Sequence, residues 1–224
     1  MPPTRAAKAA DLLSSALASG ALARLIGYFA VRPNDAPHLR ALMRQTGLSA
    51  RSIQLELERL ERLGLAEREV AIGGRVHIRA VHRGTAWAPF RDLVHAYADP
   101  AALLRFALAD VRGIAAAFVF GSIARGTADG QSDVDLFVLA DPAPEGDLRM
   151  LERVVAQRTV EASLAIGREV HFVALTPARL AEKLANGRAF YENVVTGPKR
   201  WVLGSPVDLR AVRRKSRLKA VEFA

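Results

Sequence analysis

The sequence predicts an α/β (α+β) chain in two parts. A helical group closed by a β-hairpin comes first, and a mixed sheet flanked by helices follows. Three observations predict this. Apolar residues recur at helical spacing between Leu22 and Leu63. Two extended runs then meet at Gly73-Gly74, the pattern of a hairpin. From Ala117 onward, short apolar runs alternate with helical stretches, as in a sheet covered by helices.

Each element has its own reason. Leu22 to Val31 carries Leu25, Ile26 and Phe29 on one stripe and ends at Arg32-Pro33-Asn34-Asp35. Ala36 to Gln45 reads as a second helix, with Leu39, Leu42 and Met43 inward. Thr46-Gly47-Leu48 turns the chain. Ser49 is a good N-cap for a third helix, which places Ile53, Leu57 and Leu60 at helical spacing and stops at Gly64. The hairpin takes Leu65 to Ala71 and Arg75 to Val81. Trp87, Pro89, Phe90, Leu93 and Tyr97 fall in a connector and helix whose aromatics are expected to pack the two domains, or a dimer, rather than bases. Asp99-Pro100 is a break, and Ala101 to Val111 is a further helix. Beyond Pro142-Ala143-Pro144, Gly146 to Ile166 reads as a long helix, open to interruption. Arg168 to Leu175 is a strand, and Thr176-Pro177 starts another helix, cap then proline. Ala189 to Val195 is a short helix and Arg200 to Leu203 a short strand. The expected domains are 1–98, 99–205 and a basic tail, 206–224.

Composition narrows the function. Of 224 residues, 50% are hydrophobic and 25% charged, ordinary values for a soluble globular protein. The chain has no cysteine, which excludes disulfides and cysteine-ligated zinc and fits a reducing cytoplasm. No run approaches the length of a membrane span. Arg5, Lys8 and the apolar Leu12 to Ala23 faintly imitate a signal peptide, but Asp11 and the serines favour a leading helix or frayed tail. The formal charge of +9 favours a polyanion such as nucleic acid, or reflects a composition rich in arginine. Arg210, Arg213, Arg214, Lys215, Arg217 and Lys219 crowd the tail, where they could track phosphates or lie solvated.

The chemistry centres on Ala117 to Asp141. An apolar run to Phe120 breaks at Gly121-Ser122. A polar loop follows, and Asp133-Val134-Asp135 opens a second apolar run. Asp133 and Asp135 are two apart on an extended segment, so both carboxylates leave one face. They repel unless a cation sits between them, and oxygen ligands suit Mg²⁺ or Mn²⁺. Gly121 admits close backbone approach, and Ser122 can lead a helix whose free N–H groups favour phosphate. The combination points to a metal-bound nucleoside triphosphate. No Gly-Lys-Ser/Thr follows the strand, so it is not a P-loop.

Gly121, Ser122, ten intervening residues and Asp133-x-Asp135 resemble the signature of the polymerase-β-like nucleotidyltransferases. Ala124-Arg125-Gly126 narrows the resemblance to the small, minimal members. It implies a nucleotidyltransferase-like fold, metal at Asp133 and Asp135, and phosphates near Gly121, Ser122, Arg125 and Ser132. Active relatives commonly carry a third carboxylate on the strand that is here Arg168 to Leu175. Its place falls on His171, with Glu169 on the same face as a substitute. His171 serves either as a base or as a structural strand histidine.

Leu22 to Val81, with TGLSARSIQLELERLERLGL its best local piece, resembles a winged helix-turn-helix domain of bacterial transcriptional regulators. That resemblance implies double-stranded DNA read by Ser49, Arg51, Ser52 and Gln54, a contact from Arg75, and a homodimer. Glu56, Glu58 and Glu61 make the later part of the same helix acidic. Three functions follow from the two resemblances. One is a DNA-binding regulator that senses nucleotide. Another is an active nucleotidyltransferase with a protein, RNA or small-molecule acceptor. The third is an antitoxin-like module that binds a helical HEPN-type toxin.

Overall fold

The structure is a computed structural model and describes residues 13–71, 74–82, 86–129, 132–141 and 145–210. It has mixed α and β elements in two compact units, Met1–Ala107 with Leu164–Gly167, and Leu108–Ser163 with Arg168–Ala224.

The first unit contains α1 (Gly20–Val31), α2 (Leu39–Thr46), α3 (Ala50–Arg62), β1 (Ala66–Val70), β2 (Val76–Ala80), α4 (Ala88–Tyr97) and most of α5 (Pro100–Leu108). Ser19 caps α1 by accepting the Leu22 N–H, and Ser49 caps α3 by accepting the Ser52 N–H. Gly47 ends α2 in the left-handed region. Leu25, Ile26 and Phe29 of α1, Leu42 of α2, and Ile53, Leu57 and Leu60 of α3 are buried, as their spacing predicts. β1 and β2 pair antiparallel from Ala66↔Ala80 to Val70↔Val76. Of the glycines expected at the turn, Gly74 is described and Gly73 lies outside the described residues.

Two expectations need correction here. α2 starts at Leu39, not Ala36, because the preceding residues are extended and pair with the hairpin. The Ile78 N–H donates to the Pro37 carbonyl, and His38 bridges to His77. Of the connector aromatics, Trp87 packs within this unit and Tyr97 is exposed. Trp87 is buried, donates to the Leu65 carbonyl at 3.0 Å and stacks on His82 at 4.5 Å. α5 stops at Leu108 rather than Val111, and Arg32 receives its last carbonyls. Arg32 is buried, with Nε on the Phe106 carbonyl at 2.7 Å, Nη2 on the Ala107 carbonyl at 3.1 Å and Nη1 on Asp35 at 3.0 Å. One guanidinium thereby satisfies two orphan carbonyls and a carboxylate.

The second unit is built on a four-stranded sheet ordered β5-β4-β3-β6. Its strands are β3 (Ile114–Phe120), β4 (Val134–Ala140), β5 (Val170–Leu175) and β6 (Arg200–Leu203); its helices are α6 (Gly121–Arg125), α7 (Glu145–Ile166), α8 (Pro177–Ala185) and α9 (Ala189–Thr196). β3 pairs antiparallel with β4 and β6, while β4 and β5 are parallel. A parallel pair needs a crossover, and the 22-residue α7, uninterrupted, supplies it. Alternation puts Ala116, Phe118, Phe137, Leu139 and Leu175 on one face, packed against Leu180 and Leu184 of α8 and Val194 and Val195 of α9. The Phe118 and Phe137 rings stack at 5.1 Å in the middle of this layer. Among the described residues no helix is long and apolar enough to cross a membrane. The basic tail beyond Arg210 and the expected leading helix before Leu13 lie outside the described residues.

Replacing Arg32 with Met removes the donors and leaves the Asp35 carboxylate and two carbonyls short of partners. The expected loss is about 2 kcal/mol, from the buried carbonyls left unpaired, since Asp35 is 33% exposed and keeps the Tyr28 hydroxyl. Denaturant unfolding of the variant measures it, and a midpoint equal to wild type would refute the role.

Candidate functional site

The site forms where β3 ends and β4 begins. β3 stops at Phe120. Gly121 turns the chain with φ 72, in the left-handed region that glycine adopts freely. A Cβ built on Gly121 would collide with the Asp135 carboxylate, whose Cγ it would meet at 3.1 Å. Glycine is thus required twice, for its dihedral and for the carboxylate lying on it. α6 lasts five residues and closes on Gly126, also left-handed. So short a helix sums few peptide dipoles, and the field expected at its start is correspondingly small. Ser122 is half-buried in its first turn, and Arg125 is exposed.

The loop back to β4 is closed by its own side chains. Ser132 Oγ donates to Asp129 Oδ1 at 2.7 Å and accepts the Asp129 N–H at 3.0 Å. The Ser132 hydroxyl is therefore engaged inside the loop rather than pointed at the carboxylates. Arg168 holds both ends, donating from Nη1 to the Asp129 carbonyl at 2.6 Å and the Ser132 carbonyl at 2.7 Å. Sequence reasoning missed Arg168 as a site component. Its partners are backbone carbonyls, which leave no residue-type signature.

Strand register then gathers the acidic residues. Asp135 pairs with Phe120 on β3 and with His171 on β5. His171 therefore stands at the place where the family resemblance expects a third carboxylate. Pairing continues past the strand, with the Val134 N–H on the Glu169 carbonyl at 2.8 Å. His171 Nε2 lies 3.5 Å from Asp133 Oδ2 and 3.7 Å from Glu169 Oε1. Ligand atoms of Asp133, Glu169 and His171 all fall within 4.8 Å of one another, a group that could hold a metal ion.

Burial against the Gly121 turn pushes the Asp135 carboxyl up from its ordinary range. His171 pulls it back, Asp133 raises it again, and Arg125 lowers it.

The DNA-binding candidates fall in the first unit, at the start of α3 and ahead of β2. Arg51 and Gln54 are exposed near the start of α3, three residues apart and so on one side of the helix. The Ser49 and Ser52 hydroxyls face each other at 2.9 Å within the cap. Arg75 is exposed just ahead of β2.

A mixed sheet that presents paired aspartates at the start of one strand, beside a glycine turn, defines a nucleotidyltransferase-like domain. Residues 105–194 match the family model described as Polymerase beta, Nucleotidyltransferase, a stretch running from α5 to α9. No curated protein and no solved structure matches the chain.

Because its carboxyl is held high, Asp135 favours the folded state most when protonated. Its charged form costs stability as pH rises through the ordinary Asp range and on through the raised value. Asp135→Asn should therefore stabilise the metal-free protein at neutral pH by a fraction of a kcal/mol, given solvent screening, and raise its melting temperature. The difference should close below the ordinary Asp range. Thermal melts of both proteins across that pH span test this, and a variant less stable at neutral pH would contradict it.

Proposed function

We propose that this chain is a DNA-binding regulator of winged helix-turn-helix type whose second unit holds a nucleoside triphosphate with its divalent cation. The grouping of Asp133, Glu169 and His171, with Asp135 paired beside His171 and lying on the Gly121 turn, carries the reading. Two carboxylates and the His171 imidazole offer ligand atoms to one ion, with the Asp135 carboxylate on the next strand, and the hard oxygens suit Mg²⁺ or Mn²⁺. Such an ion would neutralise the triphosphate and polarise its phosphoryl oxygens. Asp133 and Asp135 would hold it. Ser122 and Arg125, on the turn beside Asp135, would hold phosphate oxygens by hydrogen bond and charge. Arg168 fixes the loop that delivers Asp133, and thus acts by positioning.

In the first unit, Arg51 and Gln54 would reach base edges from the start of α3. Arg40, Arg44 and Arg75, all exposed, would meet phosphates. Glu58 is exposed one turn on, so docking is confined to the first part of α3, where no carboxylate would oppose the backbone. A homodimer would present two such helices about one helical turn of DNA apart.

The placement of Glu169 and His171 favours a second reading, nucleotidyl transfer. An acceptor hydroxyl would attack the α-phosphorus and the bond to the β-phosphate oxygen would break. Pyrophosphate would leave, and the acceptor proton would pass to Glu169. His171 Nε2 lies between Asp133 and Glu169 and would keep both carboxylates oriented.

Calorimetric titration with each ribonucleoside triphosphate, with and without Mg²⁺, tests the nucleotide site. Metal-dependent binding is expected in the wild type and absent in Asp133→Asn/Asp135→Asn. A wild type that binds no nucleotide would end both readings of the second unit. For the first unit, footprinting of the protein's own promoter region at moderate salt should show protection. Arg51→Ala/Gln54→Ala should weaken that binding by about tenfold or more. Absence of protection would remove the regulator reading and leave the nucleotide site standing.

A further inference from the structure

We propose that Phe190, seated on Phe120, is the surface on which the base of the bound nucleotide stacks. The inference rests on the metal–nucleotide reading of the carboxylate corner and adds to it the subsite for the base.

Register places Phe120 there. It is the last residue of β3 and the strand partner of Asp135, so the two side chains leave the same face in adjacent columns. Phe120 is only partly buried and packs on the edge of the aromatic layer below it. Phe190, in the first turn of α9, extends that edge outward. Its ring lies 6.0 Å from the Phe120 ring at an interplanar angle of 77°, and 5.0 Å from Tyr191 at 84°. Both neighbours meet it steeply, so neither lies flat over it, and Phe190 is 49% exposed.

Covering a half-exposed phenylalanine with a flat apolar surface is favourable. Among the described residues of the second unit, Phe190 is the one aromatic side chain so exposed. Its position suits a base. Phe120 links it to the Asp135 column, pairing with Asp135 across one interstrand spacing and meeting the Phe190 ring at 6.0 Å. A nucleotide has its phosphates at one end and its base at the other, with the ribose between them. With phosphates held at the Gly121 turn, a base directed along Phe120 would meet this surface. A flat aromatic ligand over an exposed ring gains stacking and removes apolar area from water together.

Stacking reads no base edge, because every base has a π-face. The surface therefore supplies affinity shared by all four nucleotides. Selectivity between them would have to come from elsewhere.

The test separates base from phosphate. Wild type, Phe190→Ala and Phe190→Trp are titrated with each ribonucleoside triphosphate and with inorganic tripolyphosphate, all with Mg²⁺. Phe190→Ala should bind every nucleoside triphosphate about tenfold more weakly while binding tripolyphosphate as wild type does. In Phe190→Trp, nucleotide should quench the new tryptophan fluorescence and tripolyphosphate should not. The tryptophan variant keeps the experiment decisive if the alanine variant folds poorly. Undiminished nucleotide binding by Phe190→Ala, or equal loss of both ligands in a folded variant, would overturn the inference. A wild type that binds both ligands equally would overturn it too and leave the metal–phosphate site intact. A wild type that binds neither would overturn this inference together with the reading beneath it.

Discussion

The Asp135 carboxylate lies directly on the backbone of Gly121, and the geometry of the second unit depends on that contact. It joins the end of β3 to the start of β4 through a point where no side chain fits. The same contact takes the carboxylate partly out of water and raises its proton affinity. Asp133 adds a like charge beside it. Such an arrangement is unfavourable for an isolated fold, and proteins commonly keep strain of this kind where a ligand relieves it. Stability and chemistry thus pull in opposite directions at one residue.

Much of this was legible in the sequence, for reasons that differ by residue. Asp133-x-Asp135 could be read because strand periodicity alone puts both side chains on one face. The expectation that the third acidic position falls on His171 came from counting along an apolar strand, and the register pairs His171 with Asp135. The α3 stripe of Ile53, Leu57 and Leu60 was legible from spacing, and Ser49 from its place before that stripe. Arg168 was not legible, since its partners are main-chain oxygens that any sequence possesses. Ser132 was legible as a polar loop residue but not in its role, because its tie to Asp129 depends on loop closure. Arg32 looked like a helix stop. Only the fold shows it reaching across sequence to the end of α5.

Arg32 and Arg168 show one solution used twice. In each unit a guanidinium binds carbonyls from a distant segment, and its several donors answer more than one acceptor at once. Arg32 does so under full burial, with Asp35 balancing its charge. Arg168 does so at the surface, where its two bonds bracket the turn that leads into Asp133. A chain rich in arginine has these donors to use, so part of its positive charge is structural rather than available to a polyanion.

The long crossover α7 has a consequence for how the acidic corner comes into being. β3 and β4 are close in sequence and can pair early, bringing Asp135 onto Gly121. β5 can join only after the whole 22-residue helix has returned the chain, a loop closure of high contact order. Asp133 and Asp135 belong to the early pair, Glu169 and His171 to the late strand. The corner therefore exists only in the finished domain. A nascent or partly unfolded chain carries its aspartates without their companions, so capture of a metal-bound nucleotide would be a property of the completed fold alone.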